Sequence, residues 1–289
     1  MKKNISLTLV FALFLLNMPL QAQNEDRNQL LNNLLKSIPS PLEMSSLIRK
    51  EGIQYDPSIL NVPNRSTSYQ TEFKQSLNLG IYSTDLGYTN IYEKKDTLGI
   101  AYLQSLRSLA QELNIDSLIN FVTIAQYAIT NNLNGLLAET SSSFDRINRS
   151  LIENKKPEAS ALILTGGWLE TLYLTCQVAK KFPNPVLDNR IAEQKIILEQ
   201  LLPLLQSYKQ DEEMKELVGG LDELNELFKK IRIQQKIKAD QNFRIVKLGN
   251  LEIVFYDNEK AKASKTKYKE EDLEQIINVS AKVRDKIVN

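Results

Sequence analysis

From Ala159 to Ala179 the chain is apolar almost without a break, with a single acid, Glu170, near the middle. Pro157 opens this stretch and suits the first turn of a helix. A helix apolar on nearly every side has to be enclosed by other elements. It is almost long enough to cross a membrane, yet it contains Gly166, Gly167, Glu170, Thr175 and Gln177. An acid at its centre would be costly in lipid. The stretch therefore reads as the central buried helix of a globular protein, with Cys176 as a core residue on it.

The surrounding sequence supplies the enclosing helices. From Ser68 to about Ala239 apolar residues recur at helical spacing. Leu103, Leu106, Leu109, Ala110 and Leu113 form one stripe, and Leu118, Phe121, Val122, Ala125, Ala128 and Ile129 the next. Asp96 and Asp116 stand at their starts as caps. Phe144, Ile147 and Leu151, then Ile191, Ile197, Leu198, Leu201 and Leu204, then Met214, Leu217, Leu221, Leu224 and Phe228 continue the pattern, with a kink expected at Pro203. Near the start, Gln29 to Leu35 is amphipathic. Ser40-Pro41-Leu42-Glu43 has the form of a capping box with proline in the first turn. Gly52 to Ser66, with Pro57 and Pro63, lacks periodicity and is expected to cross the surface as a loop.

The helical habit breaks at Phe243 to Tyr256, where two β-branched runs flank Gly249-Asn250, a hairpin signal. Lys260, Lys262, Lys265, Lys267 and Lys269 follow as a basic linker. A last amphipathic helix carries Leu273, Ile276, Ile277, Val279 and Val283. The predicted fold is an all-α multi-helix bundle over 23–240, a small β-hairpin over 241–258, and a basic linker with a terminal helix over 259–289. No repeat of solenoid length recurs.

Residues 1–22 read as a signal peptide: Lys2 and Lys3, an apolar run from Ile5 to Leu16, and Ala22 at the cut. That run is too short to span a bilayer of about 30 Å, so no transmembrane segment is expected in the mature chain. No cysteine follows the cut, which favours a soluble periplasmic form over a lipid anchor. Cys176 is the one cysteine, so an intramolecular disulfide is excluded. A formal charge of +1 gives no reason to expect nucleic acid as a partner.

The chain has no histidine. That removes serine–histidine and cysteine–histidine nucleophiles and every histidine-containing metal site. Neither a Walker nor a Rossmann glycine pattern occurs, and no cofactor is implied. What remains is carboxylate, tyrosine and lysine chemistry, and two stretches concentrate it. The first is Leu79 to Tyr92, where Ile81, Asp85, Tyr88 and Tyr92 fall on one helix face. The second is Thr165 to Tyr173, T-G-G-W-L-E-T-L-Y, with Glu170 leaning over Gly166 and Gly167. Read together they are two helices crossing around a shared polar spot.

A buried Asp85 needs a hydrogen-bond partner, most simply a tyrosine hydroxyl. The hollow at the glycines could admit Tyr82, Tyr88 or Tyr92. The candidate ligand-binding residues are Asp85, Glu170, Tyr82, Tyr88, Tyr92, Trp168 and Tyr173, with Gly80, Gly166 and Gly167 structural. Three uses remain open. The acids satisfy tyrosine hydroxyls or loop amides and fix helix register; or they line a site for a cation or solute; or they act as a general acid and base in a hydrolase. Asp96-Thr97-Leu98 and Asp116-Ser117-Leu118 also match a short acceptor motif for O-linked glycans, which helix capping explains equally well.

I-P-S-P-L-E at Ile38 to Glu43, Y-Q-T at Tyr69 to Thr71, L-G-I-Y-S-T-D-L-G-Y from Leu79, and G-G-W-L-E-T-L-Y at Gly166 to Tyr173 together resemble an uncharacterised family of exported α-helical proteins and lipoproteins of Bacteroidetes. The resemblance implies export and a helical fold, and brings no activity or catalytic residues. The expected function is a non-catalytic envelope protein that binds a protein partner or a small molecule.

Overall fold

The computed structural model describes residues 25–35, 41–92, 97–234, 243–248, 251–256 and 265–289. The leader expected over 1–22 lies outside them, as do Ser40, Asp96, Gly249-Asn250, Lys260 and Lys262. The chain divides into two compact units. The smaller combines Met1–Ser37 with Ile237–Ala261. It holds helix α1 over 25–35 and the antiparallel strands Phe243–Leu248 and Leu251–Tyr256, with Phe243 opposite Tyr256 and Leu248 opposite Leu251.

The larger unit, Ile38–Lys236 with Lys262–Asn289, is a helical bundle. Its helices are α2 (Pro41–Lys50), α3 (Glu72–Ile91), α4 (Thr97–Glu112), α5 (Phe121–Ile129), α6 (Leu133–Glu153), α7 (Pro157–Lys181), α8 (Pro185–Gln206), α9 (Glu212–Lys229) and α10 (Glu270–Val288). At its centre α3 packs along α7. Thr71 caps α3 by accepting from the Lys74 N–H at 3.2 Å, and Pro157 occupies the first turn of α7. The two run parallel. Lys156 meets Glu72 at their N-terminal ends, 3.0 Å apart, and further along the Thr84 hydroxyl donates to the Gly167 carbonyl at 3.2 Å.

Glycine sets how closely the pair approaches. A Cβ on Gly80 would fall 2.1 Å from the Ile163 carbonyl oxygen, and one on Gly166 would fall 1.9 Å from that of Leu77. Both are far inside van der Waals contact, so only glycine fits at either position. The hollow at Gly166 is thus filled by the backbone of α3, and not by a tyrosine ring as the sequence suggested.

Around this pair α2 covers α3 and α7, α4 packs on α3, and α8 on α7. Helix α10 packs against α7, α9 and α3 and is part of the bundle. Two of the lysines expected in a linker instead lie in a strand, Lys265–Lys267, paired antiparallel with Arg232–Gln234. Among the described residues no helix is long and apolar enough to cross a membrane.

Two other expectations change. The 52–66 segment does not simply cross the surface. It forms two 3-10 turns, Pro57–Ile59 and Pro63–Ser68, and buries Ile53, Ile59, Leu60, Asn61 and Ser66. Helix α5 starts later than Asp116 implied, capped by Asn120 accepting from the Thr123 N–H at 3.1 Å. With the start moved, Ile124 becomes its buried residue, while Val122 and Ile129 are 78% and 68% exposed.

Candidate functional site

One turn beyond the glycine crossing, α3 presents Asp85 and α7 presents Glu170, both with no exposed surface. Neither meets a tyrosine hydroxyl. Glu170 is held by Arg284 of α10 in a two-pronged ion pair, Nε to Oε2 at 3.0 Å and Nη2 to Oε1 at 3.1 Å. The guanidinium also stacks on Tyr173, its carbon 4.6 Å from the ring centre. A planar fork on a carboxylate, backed by an aromatic face, suits arginine and not lysine.

Asp85 accepts one hydrogen bond, from the Asn61 backbone N–H to Oδ2 at 3.1 Å. Its Oδ1 has no hydrogen-bond partner, and Glu170 lies within interaction range of the carboxyl. Two buried carboxylates beside one guanidinium would carry a net negative charge in a medium that solvates it poorly. Burial, first, and then the neighbouring Glu170 charge hold the Asp85 carboxyl well above the ordinary range; Arg284 and the Asn61 amide oppose this only in part. Protonated Asp85 becomes a donor, and the cluster becomes neutral. For Arg284, burial works against its charge but Glu170 outweighs it, so the guanidinium titrates above its ordinary value.

The tyrosines instead fasten the 52–68 segment over this cluster. Tyr82 donates to the Val62 carbonyl at 2.7 Å, Tyr92 to that of Ile53 at 2.8 Å, and Tyr102 to that of Asn61 at 2.6 Å. The Asp56 N–H donates to the Tyr88 hydroxyl at 3.3 Å. Asn61 is thereby fixed from both sides, its carbonyl held by Tyr102 and its amide turned to Asp85. Burial raises the pKa of Tyr82, Tyr88 and Tyr102, so these hydroxyls stay protonated.

The C-terminal end is bound just as closely. The Asn78 side chain donates to the Ile287 carbonyl at 3.2 Å, the Tyr69 hydroxyl to that of Val288 at 3.3 Å, and Arg65 to the Asn289 side chain at 2.6 Å.

Of the residues singled out in the sequence, the structure brings Asp85, Glu170 and Tyr173 together. Tyr82, Tyr88 and Tyr92 surround the covering segment. Trp168 faces α8, donating to Gln194 at 3.0 Å, and takes no part in the cluster. Sequence reasoning missed Arg284, Asn61 and Tyr102. Arg284 had a signal: it sits eleven residues after Leu273 and seven after Ile277, inside the apolar stripe of the terminal helix. A charge there needs a buried partner. Asn61 acts through its backbone and leaves no trace in side-chain pattern.

Chemically, the arrangement holds an ion pair beside a carboxyl that burial inclines to keep its proton, and both acids are closed off from solvent. Among the described residues no group of three or more histidine, cysteine, aspartate or glutamate side chains is placed to hold a metal ion. Comparison with protein-family models, with curated proteins and with solved structures found no match to this chain.

Proposed function

We propose that this is an exported, non-catalytic helical protein of the cell envelope. It binds a protein partner or small molecule at its surface, and its Asp85–Glu170–Arg284 cluster holds three helices in place. The observation that carries this reading is the occupancy of the acids: Arg284 takes both oxygens of Glu170, the Asn61 amide takes one of Asp85, and neither residue has exposed surface. A glycosidase-type pair would line a solvent-reached cleft, its carboxyls separated by about 5 to 10 Å to admit substrate or water. The charge a cation would supply to Glu170 already comes from the Arg284 guanidinium, which weakens the cation- or solute-binding alternative.

Export is supported by the leader-like pattern of 1–22 and by the resemblance to exported Bacteroidetes proteins. Two measurements test the proposal. Osmotic-shock fractionation should recover the protein from the periplasm, and deletion of 1–22 should leave it in the cytoplasm. Native mass spectrometry with and without chelator should give the bare chain mass. A metal-sized mass increment that disappears in Asp85→Asn would replace this reading with the cation-binding one. Affinity capture from envelope extract then identifies the partner.

A further inference from the structure

The C-terminal ends of α2, α3 and α7 meet at one end of the bundle. Arg49 donates to the Ile91 carbonyl, Lys181 pairs with Asp56, and the Asn184 side chain donates to Glu51 at 3.0 Å. Part of the positive charge here has an internal use, since cations at helix C-termini offset the dipole. Arg49 serves that purpose at the Ile91 carbonyl, and Lys181 is neutralised by Asp56. Lys50 and Lys180 stand exposed beside them. Between α7 and α8 the chain turns through Phe182-Pro183-Asn184-Pro185-Val186, where Phe182 is 47% and Val186 40% exposed. Two prolines and the Asn184 side chain, which accepts from the Val186 N–H at 2.8 Å, fix the shape of this turn.

We propose that this end of the bundle docks on an anionic phospholipid surface, with Phe182 and Val186 entering below the headgroups and Lys50 and Lys180 meeting phosphates. Charge and area both favour that occupant. Exposed Lys180 lies two residues before Phe182, and exposed Lys50 precedes Glu51, which meets Asn184 of the same turn; cations near an aromatic residue are side chains that settle at a membrane interface. The two apolar side chains together offer roughly 150 Å², far short of the ~800 Å² a side that a stable protein interface needs. A bilayer imposes no such minimum, and each lysine brought to an anionic surface strengthens binding about fivefold. The inference does not depend on the functional reading above.

The test uses the full chain carrying Val186→Cys, labelled with a polarity-sensitive dye. Cys176 is buried and will not compete for label. Vesicles of phosphatidylglycerol with phosphatidylethanolamine should shift the emission to the blue, and phosphatidylcholine vesicles should do so much less. Phe182→Ser should weaken the effect on the order of tenfold, and Lys50→Glu with Lys180→Glu should remove the preference for anionic lipid. A label at Glu153→Cys, near the opposite end of α7, should not respond. The proposal is overturned by silence at 186, by equal shifts at 186 and 153, which would place the contact elsewhere, or by a concentration-dependent shift without vesicles, which would make the partner a second copy. Circular dichroism checks that each variant retains its helices.

Discussion

Replacing Asp85 with asparagine exchanges the proton on this residue for a permanent amide of nearly the same shape. The oxygen of the new amide can still accept from the Asn61 N–H, and its hydrogens can donate toward Glu170. Asp85 titrates at 3.8 in the unfolded chain and well above that when folded, because of burial and the adjacent Glu170. Between those two values the folded state binds one more proton than the unfolded state. Stability from this group is therefore complete below about pH 3.8 and declines as pH rises toward the folded value, by about 1.4 kcal/mol per pH unit within that window. Asp188, also raised by burial, adds a slope of the same sign. Asp56 and Glu216 are lowered and lose their contribution only in acid. All three are common to both proteins and cancel in the difference. Urea unfolding followed by the fluorescence of buried Trp168, the one tryptophan, measures it from about pH 5 to about pH 8. Wild type should lose stability relative to Asp85→Asn as pH rises from the acid end of that range, the loss levelling off where the folded carboxyl ionises. A variant whose pH dependence parallels wild type would refute a proton on Asp85.

Three further outcomes follow from the same contacts. Gly166→Ala forces a methyl group onto the Leu77 carbonyl and should cost about 3 kcal/mol or more, on the order of the larger core-overpacking penalties, read as a lower urea midpoint. Tyr102→Phe strands the Asn61 carbonyl and should cost about 1 to 2 kcal/mol with no loss of helix content by circular dichroism. Burial raises the Cys176 thiol to about 12, so thiol reagents at about pH 8 should label it only in urea.

Much of this architecture was legible because periodicity reports burial. The all-round apolar stretch of α7 identified the central helix, and the two glycine–aromatic–acid stretches identified the pair that cross there. Asp85 and Glu170 lie 85 residues apart on parallel helices, which is why they meet. Assignment of their partners failed because polar partnership has no period. Tyrosines at helical spacing from Asp85 looked like its donors, but their hydroxyls bond backbone groups of the 52–68 segment instead, Tyr82 and Tyr92 its carbonyls and Tyr88 an N–H. That segment looked like a surface loop because its burial depends on contacts with α3 and α4 and not on its own pattern. Arg284, 114 residues from Glu170, could have been suspected from its place in an apolar stripe, though not paired. In α5, which is apolar on most sides, periodicity could not choose the buried face; packing against α6 and α4 sets it.

The central claim is that Glu170 and Arg284 act as one structural unit fastening α10 to α7. A double-mutant cycle on stability with Glu170→Gln, Arg284→Met and the pair tests this most directly. Each single change leaves a buried charge unpaired and should cost about 3 to 5 kcal/mol, while the double variant should cost no more than either alone. Small, additive losses would contradict the account and return the acids to candidacy as a ligand site.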